Sequence, residues 1–357
     1  MSIDNIQAWC IGLLIFVLIL IMATIIILLC SRKNETFTDS KVPKIKWPFL
    51  NLENEKGENI NILVIRAYLD SKEMRKKFLE LYEKGWKFIG CSSNQSFPRC
   101  CDNPYGSYAN CKNKDNQKIG GKDIEEYVLG WCHCFREPEK YIKHNIPTLL
   151  CSESDFNSIQ LVSVKKLEKK YDYICVQPKT KDCKPGWHHY YKNWPLCEKG
   201  IQIMSDELGL KGLIVGTHDC SINIKNKHLI ETTDFLHYWK FLDKIRESRF
   251  LFLPNLEEAS PRIETEALCA DVPILVYENI LGGWKYVNPE TGLFFNENNL
   301  KNQVELMLHN IKKNKYNPRK NFEKNFDKVM AVKLRNWLFE LYPDMTPSKW
   351  VKFSISG

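Results

Sequence analysis

Short apolar runs alternate with amphipathic stretches along this chain, and they do so in two separate series. That pattern restricts the fold to parallel sheets covered by helices on both faces. In the first series "INILVIRAY" (60–68) reads as a buried strand and "SKEMRKKFLELYEKG" (71–85) as a helix with Met74, Phe78, Leu79 and Leu81 on one side. "WKFIGCSS" (86–93) is the next strand, completing a βαβ unit. Residues 94–122 have no period and read as a long loop, after which "EEYVLGWCHCF" and "IPTLLCSES" supply two further strands. In the second series "YDYICVQP" (171–178), "LKGLIVG" (210–216), "RFLFLPN" (249–255) and "PILVYENI" (273–280) are strands. Helices are expected at 187–208, at 234–248 and from Pro261. The expectation is an α/β protein of two Rossmann-like, doubly wound domains, 59–165 and 166–325, closed by a helix within 326–345.

Ahead of these domains, residues 8–30 ("AWCIGLLIFVLILIMATIIILLC") are almost wholly apolar, and at 1.5 Å per residue such a run spans a hydrocarbon core of ~30 Å. Only Asp4 is charged before it, so the run lacks the cationic start of a cleaved signal and reads as a retained transmembrane anchor. Residues 31–58 follow as a polar juxtamembrane linker. Arg32, Lys33, Lys41, Lys44 and Lys46 lie after the apolar run and none before it, which places the large part of the chain in the cytosol. The alternative is a Golgi or ER lumen-facing domain, favoured by 14 cysteines and by the sequons at Asn34 and Asn94. Several of the cysteines, however, sit inside apolar strand-like runs, where a reduced thiol behaves as a small hydrophobe. The net charge of +8 is spread over many lysines without a basic, aromatic-interleaved stripe, so nucleic acid is not an expected partner.

The acids of "EEASPRIETEALCADVPILVYENILGG" (257–283) need an explanation. In doubly wound sheets ligands bind at the carboxyl ends of strands, where the next helix begins. Ser260 suits an N-cap and Pro261 the first helical position, so the helix is expected to start there with its N–H groups free for a phosphate. Glu258 then lies on the loop and Glu266 in the helix, on the side of Arg262. The plain alternative is that Glu264 and Glu266 are solvated helix charges and Glu257 and Glu258 loop acids. Against it stands the combination of paired carboxylates, an apolar strand and the Gly282-Gly283 pair, which gives acceptors for hydroxyls, donors for phosphates and a close backbone approach.

These residues resemble the retaining glycosyltransferases of the GT-B fold, family-4 type. Glu258 and Glu266 match the family's Glu-x7-Glu pair, Pro273–Val276 its strand, Gly282 and Gly283 its glycines, "ETGLFF" (290–295) its closing turn, and "GLIVG", ending at Gly216, its preceding strand. A narrower resemblance, carried by "GWCHCFREP", "SESDF" and "GWHHYYKNW", is to glycosyltransferase-like proteins of large DNA viruses and protists. The resemblance implies a nucleotide-sugar donor as substrate, an unknown glycan, lipid or protein acceptor, no metal and no resident cofactor. It implies that Glu258 contacts the donor sugar near its anomeric centre, that Glu266 accepts from the ribose, and that Gly282 and Gly283 line the cleft. His133 would touch the sugar. The family's diphosphate-binding cations are not matched in place, which leaves Lys184 first, Lys192 second and Arg262 as an additional choice.

Retention in that family implies front-face attack with the donor phosphate as base. The Asp-x-Asp of metal-dependent transferases is absent from the sequence, leaving cations and helix N-termini to meet the leaving-group charge. Ser92 and Ser93, at the end of a strand, are candidate acceptor contacts. Cys132-His133-Cys134 invites a zinc reading, but C-x-C is not the knuckle spacing. A non-catalytic sugar-nucleotide or glycan binder of the same fold is the alternative to an enzyme.

Overall fold

The computed structural model describes residues 45–354 apart from 100–117, 144, 161–166, 179–185 and 218–221. The apolar run 8–30 and Lys184 therefore lie outside the described residues, and no described helix is long and apolar enough to cross a membrane.

The second series forms the simpler half. Strands β6 (Tyr171–Val176), β7 (Gly212–Val215), β8 (Ile230–Thr233), β9 (Ser248–Leu253), β10 (Ile274–Tyr277) and β11 (Gly292–Phe295) make one sheet in the order β11-β10-β9-β6-β7-β8, every pairing parallel. Its inner strands are apolar at nearly every position because both faces are covered. One face carries Ile174, Leu251 and Val276 against Leu242 and Leu268, the other Tyr173, Phe252 and Leu275 against Ile201 and Val304. The covering helices are Trp187–Tyr191, Trp194–Gln202, Tyr238–Arg246, Arg262–Cys269, Leu300–Lys312 and Pro318–Asn325. We call Arg262–Cys269 the site helix. Strand order reverses between β6 and β9, so a crevice opens at their carboxyl ends.

The first series forms a mixed sheet, β12-β1-β2-β3-β4-β5, from β1 (Phe49–Asn54), β2 (Asn59–Ile65), β3 (Lys87–Cys91), β4 (Trp131–His133), β5 (Thr148–Leu150) and β12 (Val351–Phe353). β2 to β5 are parallel, whereas β1 runs antiparallel to both neighbours. The helix Lys72–Glu83 is capped by Ser71, whose hydroxyl accepts from Met74 N at 3.1 Å, and it buries Phe78 and Leu81 on this sheet.

Several expectations are corrected here. The linker expected over 31–58 contains β1, held because Phe49 and Leu52 turn inward and Gly57, at φ 76°, closes the hairpin to β2. The expected helix 187–208 breaks at Asn193, which sits at φ 51°, and its end winds into a π-turn at Ile203–Glu207. The helix expected over 234–248 begins only at Tyr238 and follows a further edge strand, β8. "EEYVLGWCHCF" yields only a three-residue strand after a 3-10 turn at Ile124–Tyr127.

The closing helix, Lys328–Leu341, returns to the first half, where Met330, Ala331, Leu334 and Leu338 share a core with Leu52, Ile62, Val64 and Cys132. β12 then pairs with β1.

Candidate functional site

The loop from β9 to the site helix carries Glu258 beneath the crevice. The Tyr191 hydroxyl donates to Glu258 Oε1 at 2.7 Å, Asn255 Nδ2 donates to Oε2 at 2.9 Å, and the Lys192 ammonium forms an ion pair with the same oxygen. Lys192 and Glu258 are equally buried, each 13% exposed. The corner that delivers Tyr191 and Lys192 is the αL break at Asn193, and it is tied to the loop through the Tyr191 carbonyl, which accepts from Leu256 N and Glu257 N. Two candidates named from sequence, Glu258 and Lys192, thus meet.

A cleft of about 420 Å3 opens beside them, lined at its floor by the strand ends Val176, Val215 and Leu253. Phe235, Leu236, Tyr238 and Phe241 form an aromatic and apolar wall, while Lys192, Asn255, Glu258, Ser260 and Arg262 supply its polar side. Glu266, 5% exposed, lies one turn into the site helix. Burial raises its carboxyl, opposed by the Arg262 guanidinium and the Tyr238 hydroxyl.

The site helix starts one residue later than expected: Pro261 is its N-cap and Arg262 its first residue. Ser260 is not a cap because its hydroxyl faces the other half, bonding Ser154 Oγ at 2.8 Å and accepting from Ser154 N at 3.2 Å. Gly282 and Gly283 do not border the described cleft. A Cβ on Gly282 would lie 1.9 Å from the Ala259 carbonyl oxygen and one on Gly283 2.1 Å from Glu264 Oε2, so the pair permits the loop 281–283 to lie directly on 259–264. Gly216, at φ 97°, allows the ends of β6 and β7 to close on Gln177.

His133 ends β4 and is buried. Its Nδ1 has no partner, and burial together with the Lys285 charge lowers it to about 4, so it is neutral at pH 7. Ser92 is buried as well, donating to the Phe97 carbonyl at 2.7 Å and accepting from Trp131 Nε1 at 2.9 Å, which leaves no hydroxyl hydrogen for an acceptor. Ser93, half-buried, has its oxygen 3.1 Å from Cys91 Sγ. Among the described residues no group of three or more His, Cys, Asp or Glu is placed to hold a metal; Cys91, Cys132 and Cys134 are instead buried free thiols.

Sequence reasoning missed a buried network that joins the halves. Asp155 pairs with Lys285 at 2.6 Å and accepts from the Tyr286 hydroxyl at 2.6 Å; Asp155 is 0% and Lys285 7% exposed. Nearby, Glu264 is fully buried and neither carboxylate oxygen has a partner. Desolvation pushes its carboxyl well up, Glu258 adds to this, and Lys285 opposes it. Nothing in the local pattern separates Glu264 from a solvated helix charge.

No family model and no curated protein matches the sequence. In structure the chain is similar to TarM, with TM-score 0.54 and 10% identity over 79% of this chain and 54% of TarM. It is similar to sucrose-phosphate synthase from Thermosynechococcus elongatus, with TM-score 0.55 and 10% identity over 79% of this chain and 74% of that one. It is also similar to HepE from Anabaena in complex with UDP-glucose, with TM-score 0.51 and 8% identity over 78% of each chain. The chain thus spans about half the length of TarM. The shared feature is the fold: two Rossmann-like halves in the GT-B arrangement.

Proposed function

We propose that the protein is a membrane-anchored glycosyltransferase that moves a sugar from a nucleotide-sugar donor to a glycan, lipid or protein acceptor, with retention and without a metal. The observation that carries this reading is the cleft at the β6/β9 switch point, with an aromatic wall on one side and Lys192, Glu258 and Arg262 on the other. In this reading the base lies on Phe235, Tyr238 and Phe241, and the ribose on Glu266. The diphosphate lies between the site-helix N–H groups, Lys192 and Arg262, which offset the leaving-group charge. Glu258 faces the sugar. The HepE structure holds UDP-glucose, which makes uridine donors the first to try.

The test is nucleotide release from a panel of sugar nucleotides. Wild type should turn over at least one donor, and Glu258→Ala should lose about 10²-fold or more in rate, the scale for removing one electrostatic stabiliser of a transition state. Glu266→Ala should chiefly weaken donor binding. A binding-only protein is the second reading, favoured by the commitment of Glu258 to donors of its own half; binding without turnover of any donor would select it.

The anchor at 8–30 is proposed to hold the domains on the cytosolic side, a reading supported by the buried free thiols at Cys91, Cys132, Cys134, Cys151, Cys175, Cys197 and Cys269. In a eukaryotic host Asn34 and Asn94 should then stay unmodified, and endoglycosidase-sensitive mobility would overturn this topology.

A further inference from the structure

Glu258 is held by one charged and two neutral donors, and the charged one is the group that a diphosphate would most attract. Lys192 stands in the cleft wall with Glu258, Ser260 and Arg262, next to the first turn of the site helix. A diphosphate carries more negative charge than one carboxylate and offers several acceptor oxygens, so an ammonium shared between them moves toward the phosphate. The carboxylate left behind would then be free to turn, were it not for its other two donors. Tyr191 and Asn255 are suited to keep it fixed. They occupy different oxygens of the same carboxylate, and both belong to backbone anchored apart from the Lys192 ammonium: the Tyr191 carbonyl receives Leu256 N at 3.1 Å, and Asn255 lies just past Pro254 at the end of β9. A carboxylate accepts about four hydrogen bonds in all, so two neutral donors leave room for sugar hydroxyls.

We propose that Tyr191 and Asn255 are positioning residues that hold the Glu258 carboxylate in place when the donor's diphosphate draws Lys192 away. Glu258 pairs with Lys192, the ammonium that a diphosphate would compete for, and on donor binding the ammonium is handed over. This inference rests on the nucleotide-sugar reading of the cleft.

The exchange makes an unusual demand on binding. Glu258→Gln removes the competitor for Lys192 and should tighten UDP binding about 3- to 10-fold by calorimetry, whereas Lys192→Met should weaken it by at least 10-fold. Tyr191→Phe and Asn255→Ala should leave UDP affinity and donor KM within 2-fold of wild type while lowering kcat for donor turnover about 5- to 10-fold each. The double variant should lose more than either. Thermal melting identifies any variant that has lost its fold, and Tyr191→Phe, which removes a single oxygen, is the gentlest probe. A weaker UDP affinity in Glu258→Gln, or a raised KM with unchanged kcat in Tyr191→Phe, would overturn the inference and leave the nucleotide-sugar reading standing. Failure of wild type to bind any nucleoside diphosphate would overturn both.

Discussion

Glu258 and Glu264 lie six positions apart on one segment, yet one is surrounded by donors and the other has none. Glu258 precedes the site helix, on a loop reached by Tyr191, Lys192 and Asn255. Glu264 belongs to the first turn of that helix and points beneath Gly283, against a backbone with no donor for it. Its natural counter-ion, Lys285, is two residues beyond Gly283 but is bonded to Asp155 of the other half. The difference teaches that the sign of a charge in sequence says little about its use: the first acid faces a cleft, while the second is buried without a donor, its carboxyl pushed up by desolvation, beside a cation already engaged.

The largest effect that bears on this contrast comes from Asp155→Ala. Removing one member of a buried ion pair costs about 3–5 kcal/mol, because the remaining charge is stranded. Chemical denaturation should record that loss, reduced by whatever Lys285 regains by turning to Glu264. The double variant Asp155→Ala/Glu264→Gln should therefore be less stable than the two single changes predict, by about 1 kcal/mol or more. Strict additivity would show that Glu264 is no reserve partner and would break the comparison.

A smaller effect of opposite sign is expected from Glu264→Gln alone. Its folded-state carboxyl is raised above 4.5 by burial, so its contribution to stability is fully present below that pH and is lost as pH rises through the folded value. An amide cannot ionise, so Glu264→Gln should change stability little near pH 5 and raise it increasingly toward pH 8, as the cost of ionising a buried carboxyl is removed. Urea midpoints measured across that range check both the sign and the slope.

The parts of the fold that were legible in sequence are those buried on both faces. β7 and β10 read as unbroken apolar runs, and β6 and β9 as apolar runs interrupted only by Asp172 and by Ser248-Arg249, because helices cover them above and below. β8, the polar edge strand "IETT", and β1, with its alternating "FLNLEN", carry weaker signals and were missed. The break at Asn193 was hidden as well, since a left-handed residue within a helical pattern leaves no periodic trace. In the site, the spacing of Glu258 and Glu266 was visible because both belong to one strand–helix turn. Tyr191, 67 positions from its partner Glu258, and Asp155, 130 from Lys285, become neighbours only through the tertiary fold.

The return of the chain to its first sheet has a consequence for how the protein is made. Ser354 bonds Glu53 across 301 positions, and the helix that floors this sheet begins only at Lys328. During synthesis from the N-terminal end, Ile62, Val64 and Cys132 emerge long before Met330, Leu334 and Leu338, the residues that cover them. The second half, whose strands lie between Tyr171 and Phe295, has no such wait. The order of emergence is thus the reverse of the order of completion: the half translated first is the half finished last, with an uncovered apolar face on the nascent chain in the interval.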